Sequence, residues 1–384
     1  MKEINEMPVI DFAPMEGITG FAFRNAHHKY YGGVSRYYTP FLNVQAESCF
    51  SRSDARDVLF ENNKALLGDP ACTLVPQLLT GHSETLILGI RTLAEMGYPE
   101  INWNMGCPSP TVTRRGRGAG LLAEPEKIDR ILDETFSVLE KEGLAVRLSV
   151  KMRTGLESAE LFPELIEVLN RYPLSEIILH PRIAAQGYQG PVDEEAFAQA
   201  LALCCQPLTW NGDVKCPEDM ERIMERFPQV NRIMIGRGLV TEPDLAMEIL
   251  KSFSEAETAL SKKKSFAKNA RQSENQADIE EHDIINVQPP ANQAATEENC
   301  LSGCSLFGMF HDGILQGYQS YIPDEKGALA RMKELWGWWG QAALFSNAGV
   351  PADVLPRALK KIKKAKSVGE YRTEVNRLLD SIGG

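Results

Sequence analysis

The chain has 384 residues, 43% of them hydrophobic and 24% charged, and a formal net charge of −11. Such a length and balance exclude a fibrous, disordered or small disulfide-stapled protein, and they leave room for one large core and a second, smaller domain. The absence of a long apolar run, and of a basic segment leading into one at the N-terminus, predicts a soluble, unexported protein with no membrane partner; the scattered cysteines suit a reducing cytoplasm, and a monomer is expected.

Short β-rich apolar runs recur along the first two thirds of the chain, each followed by helical spacing. Eight strands are predicted, over residues 9–15, 33–41, 74–79, 100–106, 147–153, 176–182, 207–213 and 232–238. Runs such as I-I-L and I-M-I are apolar on both faces, as strands buried in a parallel sheet must be, and strand–helix alternation requires crossovers. Eight such units predict an α/β fold, a (β/α)8 TIM barrel, in residues 1–252.

Barrel active sites form where strands run into the loops that follow, and polar residues gather there. In chain order they are Met15 and Glu16, Gln77, Asn102 and Asn104 with Cys107, Lys151 and Arg153, His180 and Arg182, Asn211–Gly212–Asp213, and Gly236–Arg237. Period-2 alternation puts Lys151 and Arg153 on one face of their strand, and His180 and Arg182 on one face of theirs. A lysine so placed is either the counter-charge for an anionic ligand such as a reduced flavin or half of an internal salt bridge; His180 taken singly also suits a hydrogen-bonded core.

The loop N-M-G-C-P-S-P-T-V-T-R-R-G-R-G-A-G-L-L holds Cys107 between Gly106 and Pro108. A thiol there suits a general acid, because its reference pKa near ~8.5 keeps it protonated at neutral pH; the alternative is a buried structural cysteine. Arg114, Arg115 and Arg117 are phosphate ligands or solvated loop charges. The last two strands end in N-G-D and I-G-R-G, where barrels frequently bind a phosphate, and FMN offers one. No C-x-x-C pair exists among the eight cysteines and no H-E-x-x-H among the six histidines, so no metal site is expected.

Residues 253–304 become polar and rich in Asn and Gln, which reads as a flexible insertion or linker. Helical spacing returns in residues 305–384, with Leu315, Tyr318, Leu329, Met332, Leu335, Trp336, Trp339, Ala343, Leu355, Leu359, Ile362 and Leu378 as the expected core of a small all-helical domain. This tail carries 11 Lys and Arg against 8 Asp and Glu, whereas the first 304 residues hold 30 against 44. Arg357–Lys366 alone contains five Lys and one Arg, either a stripe for an RNA backbone or a solvated face.

Together, A-P-M-E-G-I-T-G-F-A-F-R, Q-L-L, N-M-G-C-P-S, K-M-R, H-P-R…Q-G-Y-Q-G-P, N-G-D and I-G-R-G resemble the tRNA-dihydrouridine synthases through nearly all of residues 8–250. The resemblance implies FMN in the barrel mouth, with Pro14, Met15 and Glu16 beneath the ring and Gln77 and Lys151 on its polar edge. His180, Asn211, Gly212, Asp213, Gly236 and Arg237 would lie toward ribityl and phosphate. NADPH or NADH would reduce the flavin, a tRNA uridine would flip into the pocket, hydride would pass from N5 to C6, and Cys107 would protonate C5. Asn104, Arg153 and Arg182 are the expected substrate contacts. Pro110, Pro181 and Ile183 depart from the common family pattern. Two other readings are an FMN barrel acting on a free small molecule such as a dihydropyrimidine, and a catalytically silent barrel that binds RNA.

Overall fold

Ten strand segments form one parallel sheet in the computed structural model, which describes residues 7–47, 49–273, 303–343, 345 and 353–383. They are β1 (Val9–Phe12), β2 (Arg36–Tyr38), β3 (Leu42–Asn43), β4 (Thr73–Val75), β5 (Gln77–Leu79), β6 (Glu100–Met105), β7 (Arg147–Gly155), β8 (Ile177–Ile183), β9 (Leu208–Asn211) and β10 (Arg232–Ile235). The order β3-β5-β6-β7-β8-β9-β10-β1-β2-β4 looks open, but its two ends are halves of the same two strands. β2 and β3 are one strand interrupted near Pro40, and β4 and β5 are one strand interrupted at Pro76. Proline has no N–H to give the ladder, so each strand breaks there. With β2 on β4 and β3 on β5, the eight expected strands close into a barrel.

Inward-facing residues alternate along each strand and build three layers. At the strand starts Asp11, Arg36, Glu100 and Glu176 form a buried ionic layer, joined by Arg147 and Arg232. Two residues further on, Ala13, Tyr38, Val75, Ile178 and Met234 pack as an apolar plug. Another step brings Met15, Gln77, Lys151, His180 and Gly236 to the upper mouth. The strand register sets these levels, pairing Asn104 with Lys151 and Arg153 with His180.

The helix Leu245–Ser273 runs past residue 252, where the barrel domain was expected to end, and residues 274–302 of the expected linker lie outside the described residues. Among the described residues the helices Gly303–Tyr321, Glu325–Trp339, Val354–Lys364 and Val368–Gly383 follow. Trp336, Trp339, Ile362 and Leu378 are buried as expected, and Leu355 and Leu359 are partly buried. Ala343 is exposed and Ala342 takes the core position instead, because the helix Glu325–Trp339 has already ended and its phase no longer applies.

Helix Gly303–Tyr321 lies against the barrel helix Phe21–Tyr30. A Cβ on Gly317 would stand 2.6 Å from that of Ala22, so only glycine permits this approach. Phe23 meets Phe310 edge-on at 5.4 Å and Phe21 meets Tyr321 at 5.0 Å, and the two regions share one hydrophobic core. The helical region is therefore docked against the barrel.

Candidate active site

Two adjoining hollows open at the upper end of the barrel and share Pro14, Met15, Lys151, His180 and Tyr188. One continues past Gln77, Asn104 and Cys107; the other continues past Asn211, Gly212, Asp213, Gly236 and Arg237. Residues from the ends of all eight strands, Phe41 of the interrupted second strand included, thus meet around a single cavity.

On the first side a chain of amides sets the wall. Asn104 Nδ2 donates to Gln77 Oε1 (2.7 Å), Gln77 Nε2 to Asn102 Oδ1 (2.7 Å), and Asn102 Nδ2 to Ser149 Oγ (2.9 Å). Asn104 Oδ1 accepts from the N–H groups of Gly106 (3.0 Å) and Cys107 (2.9 Å), so this side chain fixes the start of the cysteine loop. Ala119 N–H closes the loop onto the Cys107 carbonyl at 3.0 Å. Gly118 makes the closure possible: its φ is +55° and a Cβ there would lie 2.9 Å from the Cys107 oxygen. Burial pushes the Cys107 thiol above its ordinary pKa despite the nearby Arg153 and Lys151, so it is protonated at neutral pH.

Positive charge dominates the mouth. Burial first, and then repulsion from Arg153, lower Lys151 to about 7, and no ion-pair partner for it occurs among the described residues. His180 is held neutral, well below its usual range, by burial and by the charges of Lys151, Arg153, Arg182 and Arg237. Asp213 is the acid that pairs with Arg182 and Arg237; although burial opposes its ionisation, bonding to Arg182 holds its carboxyl below the usual range. A buried ammonium without a counter-charge is costly, and an anionic ligand removes that cost.

On the second side the chain turns tightly. A Cβ on Gly212 would stand 2.8 Å from Val192, and one on Gly238 would stand 2.3 Å from the Val214 carbonyl. Arg237 reaches Asp213 at 2.7 Å and lies over the Tyr188 ring, 4.5 Å from its centroid. Glu16 stands exposed at the rim; desolvation, with repulsion from Asp54 and Asp57, drives its carboxyl up to about 7.

Some expected contacts fall elsewhere. Arg182 lines neither hollow: its guanidinium is buried behind the wall, bonded to Asp213, Gly190 and His180, where it braces the loop that carries Tyr188. Arg153 lines the cavity but commits Nε to Gly106 O (3.1 Å) and Nη1 to Ile183 O (3.0 Å). Pro110 is the first residue of the short helix Pro110–Thr113, a position that suits proline, and Ile183 contributes only its backbone to the Arg153 bond. Arg114 and Arg115 are exposed beside the cysteine loop, outside the cavity.

Sequence reasoning missed Tyr188, Glu334 and Trp338. Tyr188 sits between Gly187 and Gly190, both at positive φ, in the Q-G-Y-Q-G stretch, with Arg153 and Arg237 against its ring. Glu334 and Trp338 come from the helical region and line the hollow that contains Cys107. The available signal was Trp338 itself, a large aromatic standing off the buried Trp336 and Trp339 stripe. Lys360, Lys361, Lys363, Lys364 and Lys366 are all exposed, and none of them has an ion pair among the described residues. Among those residues no group of three or more His, Cys, Asp or Glu is placed to hold a metal, and no helix is long and apolar enough to cross a membrane.

Residues 11–285 match the family described as dihydrouridine synthase (Dus). A tRNA-dihydrouridine(16) synthase of Pseudomonas syringae pv. tomato is 31% identical over 240 residues, covering 62% of this chain and 74% of that protein. A protein of the same name from Neisseria meningitidis serogroup A is 30% identical over 243 residues, covering 62% and 70%. Among solved structures, a morphinone reductase aligns with a TM-score of 0.47 and 11% identity over 63% of this chain and 85% of its own. The barrel, the cysteine loop and the match across most of the chain agree: this chain belongs to the dihydrouridine synthase family.

Proposed function

We propose that the protein reduces the uridine at position 16 of transfer RNA to 5,6-dihydrouridine, with FMN in the barrel mouth and NADPH or NADH as the electron source. The observation that carries this reading is the convergence of Lys151, Cys107 and the Gly212 and Gly236 turns on one cationic cavity. Position 16 is taken from the name shared by the relatives.

The residues present fit the cofactor. Lys151, which has no ion-pair partner among the described residues, would hold its proton against the anionic edge of a reduced flavin, with Gln77 beside it, and Pro14, Met15 and Glu16 would border the ring. Asn211, Gly212, Asp213, Gly236, Arg237 and His180 border the hollow that would take ribityl and phosphate, and Arg237 supplies charge-assisted bonds there. Bound in this way, FMN supplies the hydride that reaches C6 of uracil.

Cys107 holds its proton at Sγ until C5 needs it. As the C5–C6 double bond becomes single, the thiol passes that proton to C5, and Lys151 and Arg153 stabilise the thiolate left behind. The spare N–H of Asn104 and the free end of Arg153 are donors for uracil carbonyls. A base still stacked in its helix cannot reach this depth, so the target uridine is extruded. The exposed lysines from Lys360 to Lys366 supply the phosphate-binding stripe. The cytoplasm, where tRNA is processed, is the compartment this reading requires.

A flavin barrel acting on a free pyrimidine would use the same mouth, but it has no use for a docked basic domain. Purified protein supplied with FMN, NADPH and tRNA is expected to make position 16 two hydrogens heavier by mass spectrometry, and to leave free uridine unchanged. A colourless protein that takes up no flavin, or reduction of free uridine in preference to tRNA, would remove this proposal.

A further inference from the structure

Uracil presents two carbonyl oxygens and one imino N–H, and each must find a partner once the base leaves water. Donors abound in the cavity, whereas side-chain acceptors are scarce. Gln77 Oε1 is taken by Asn104, and Asn104 Oδ1 by two backbone N–H groups. His180 Nε2 faces Arg182 at 3.1 Å, and Tyr188 presents its ring to the guanidiniums of Arg153 and Arg237. Two carboxylates remain in the hollow that contains Cys107: Glu16 and Glu334. Glu16 is crowded by Asp54 and Asp57 and is neutral for much of the time near pH 7. Glu334 pairs with Arg331 at 3.5 Å, a guanidinium whose charge also reaches Glu16. Arg331 in turn reaches the Gly17 carbonyl at 3.4 Å, which ties this turn of helix to the loop beside Glu16. One turn further along, half-buried Trp338 lines the same hollow.

We propose that the helical region reads the target base directly: Glu334 accepts the pyrimidine N3–H while Trp338 packs against its ring. Arg331 is a positioning residue that holds Glu334 toward the barrel. The arrangement selects uracil by chemistry. Cytosine carries a bare lone pair at N3, which faces a carboxylate repulsively, and an N3-methyl group both removes the donor and collides with the acceptor. Trp338 supplies the stacking surface by which extruded bases are commonly held.

This inference rests on the proposed function, and the test separates the two. Flavin-loaded wild type, Glu334→Ala, Glu334→Gln, Trp338→Ala and Trp338→Phe are compared on unmodified tRNA and on tRNA carrying N3-methyluridine at the target position. Glu334→Ala is expected to lower kcat/KM on unmodified tRNA roughly 10–100-fold, the range for a lost hydrogen bond to a charged group. Glu334→Gln keeps a carbonyl acceptor and should recover much of that loss. On the N3-methylated tRNA the order reverses, with Glu334→Ala faster than wild type because the methyl group enters the vacated space. Trp338→Ala should raise KM more than it lowers kcat, and Trp338→Phe should restore it. Glu334 is exposed on its helix, so alanine there leaves folding intact. If wild type reduces the tRNA and Glu334→Ala matches it, or rejects the methylated base as strongly, Glu334 is not the reader and only this inference falls. If wild type reduces no uridine in tRNA, the proposed function falls with it.

Discussion

The two ends of the barrel are both lined with charge, and they treat it in opposite ways. At the lower end three carboxylates, Asp11, Glu100 and Glu176, meet three guanidiniums, those of Arg36, Arg147 and Arg232. Although desolvation opposes it, Asp11 and the other groups around it hold Arg36 firmly in its charged form. At the upper end Lys151, Arg153, Arg182 and Arg237 gather around Asp213, with Glu16 and Glu334 farther out in the hollow that contains Cys107, and the cost appears as a lowered Lys151 and a neutral His180. A balanced layer closes the barrel floor, while an unbalanced one describes the ligand that is to balance it. Charge in a barrel interior therefore points to function only where its partner is missing.

The largest expected effect lies at the balanced end. Arg36→Met removes the guanidinium shared by Asp11, Glu100 and Glu176, leaving Asp11 to Arg232, Glu100 to Arg147 and Glu176 with no ion-pair partner among the described residues, and should destabilise the protein by about 3–5 kcal/mol in denaturant titration. Arg36→Lys should recover only part, because an ammonium lacks the guanidinium fork. At the upper end, Cys107→Ala should retain flavin and fold normally while turnover on tRNA drops roughly 10²–10⁴-fold; loss of flavin together with activity would move Cys107 to a structural role.

Lys151→Met sharpens the contrast, since removing this charge should stabilise the protein without cofactor by roughly 1–3 kcal/mol while weakening FMN binding. The pH dependence has a definite sign. The folded chain releases the Lys151 proton at about 7 and the unfolded chain at 10.5, so wild-type stability without cofactor rises between those values and the variant lacks that rise. A Lys151→Met protein less stable than wild type would undo the comparison.

Smaller changes are expected at the surface. Replacing Lys360 and Lys364 with Gln should weaken tRNA binding and reduce its salt slope by about one for each lysine removed. Smallest of all is Glu16→Gln. Because the folded Glu16 keeps its proton up to about 7 against an ordinary 4.5, stability falls as pH rises through that window, and the variant should flatten the fall by less than about 1 kcal/mol.

The barrel was legible because its signal is local. Alternation, doubly apolar runs and the residues ending each run lie within a few positions of one another, and the same pattern marked Gln77, Lys151 and Gly236 for the upper mouth. The prolines showed less plainly: residues 33–41 and 74–79 each read as one strand, and only the ladder shows them split. The ionic floor escaped notice because Asp11, Arg36, Glu100 and Glu176 each look unremarkable at a strand start until the register places them side by side.

By itself the sequence determined the eight-strand barrel, the helical region after it, the cysteine loop and most of the mouth, since each depends on spacing along one stretch of chain. Tertiary structure alone decided that Arg182 braces the wall from behind, that Tyr188 spans the two hollows, and that Glu334 and Trp338 reach the cavity from a helix more than 200 positions beyond Cys107. The physical reason is that a strand fixes the direction of its own side chains, whereas the partner across a cavity is fixed by how separate elements pack, here through the close approach of Gly317 to Ala22.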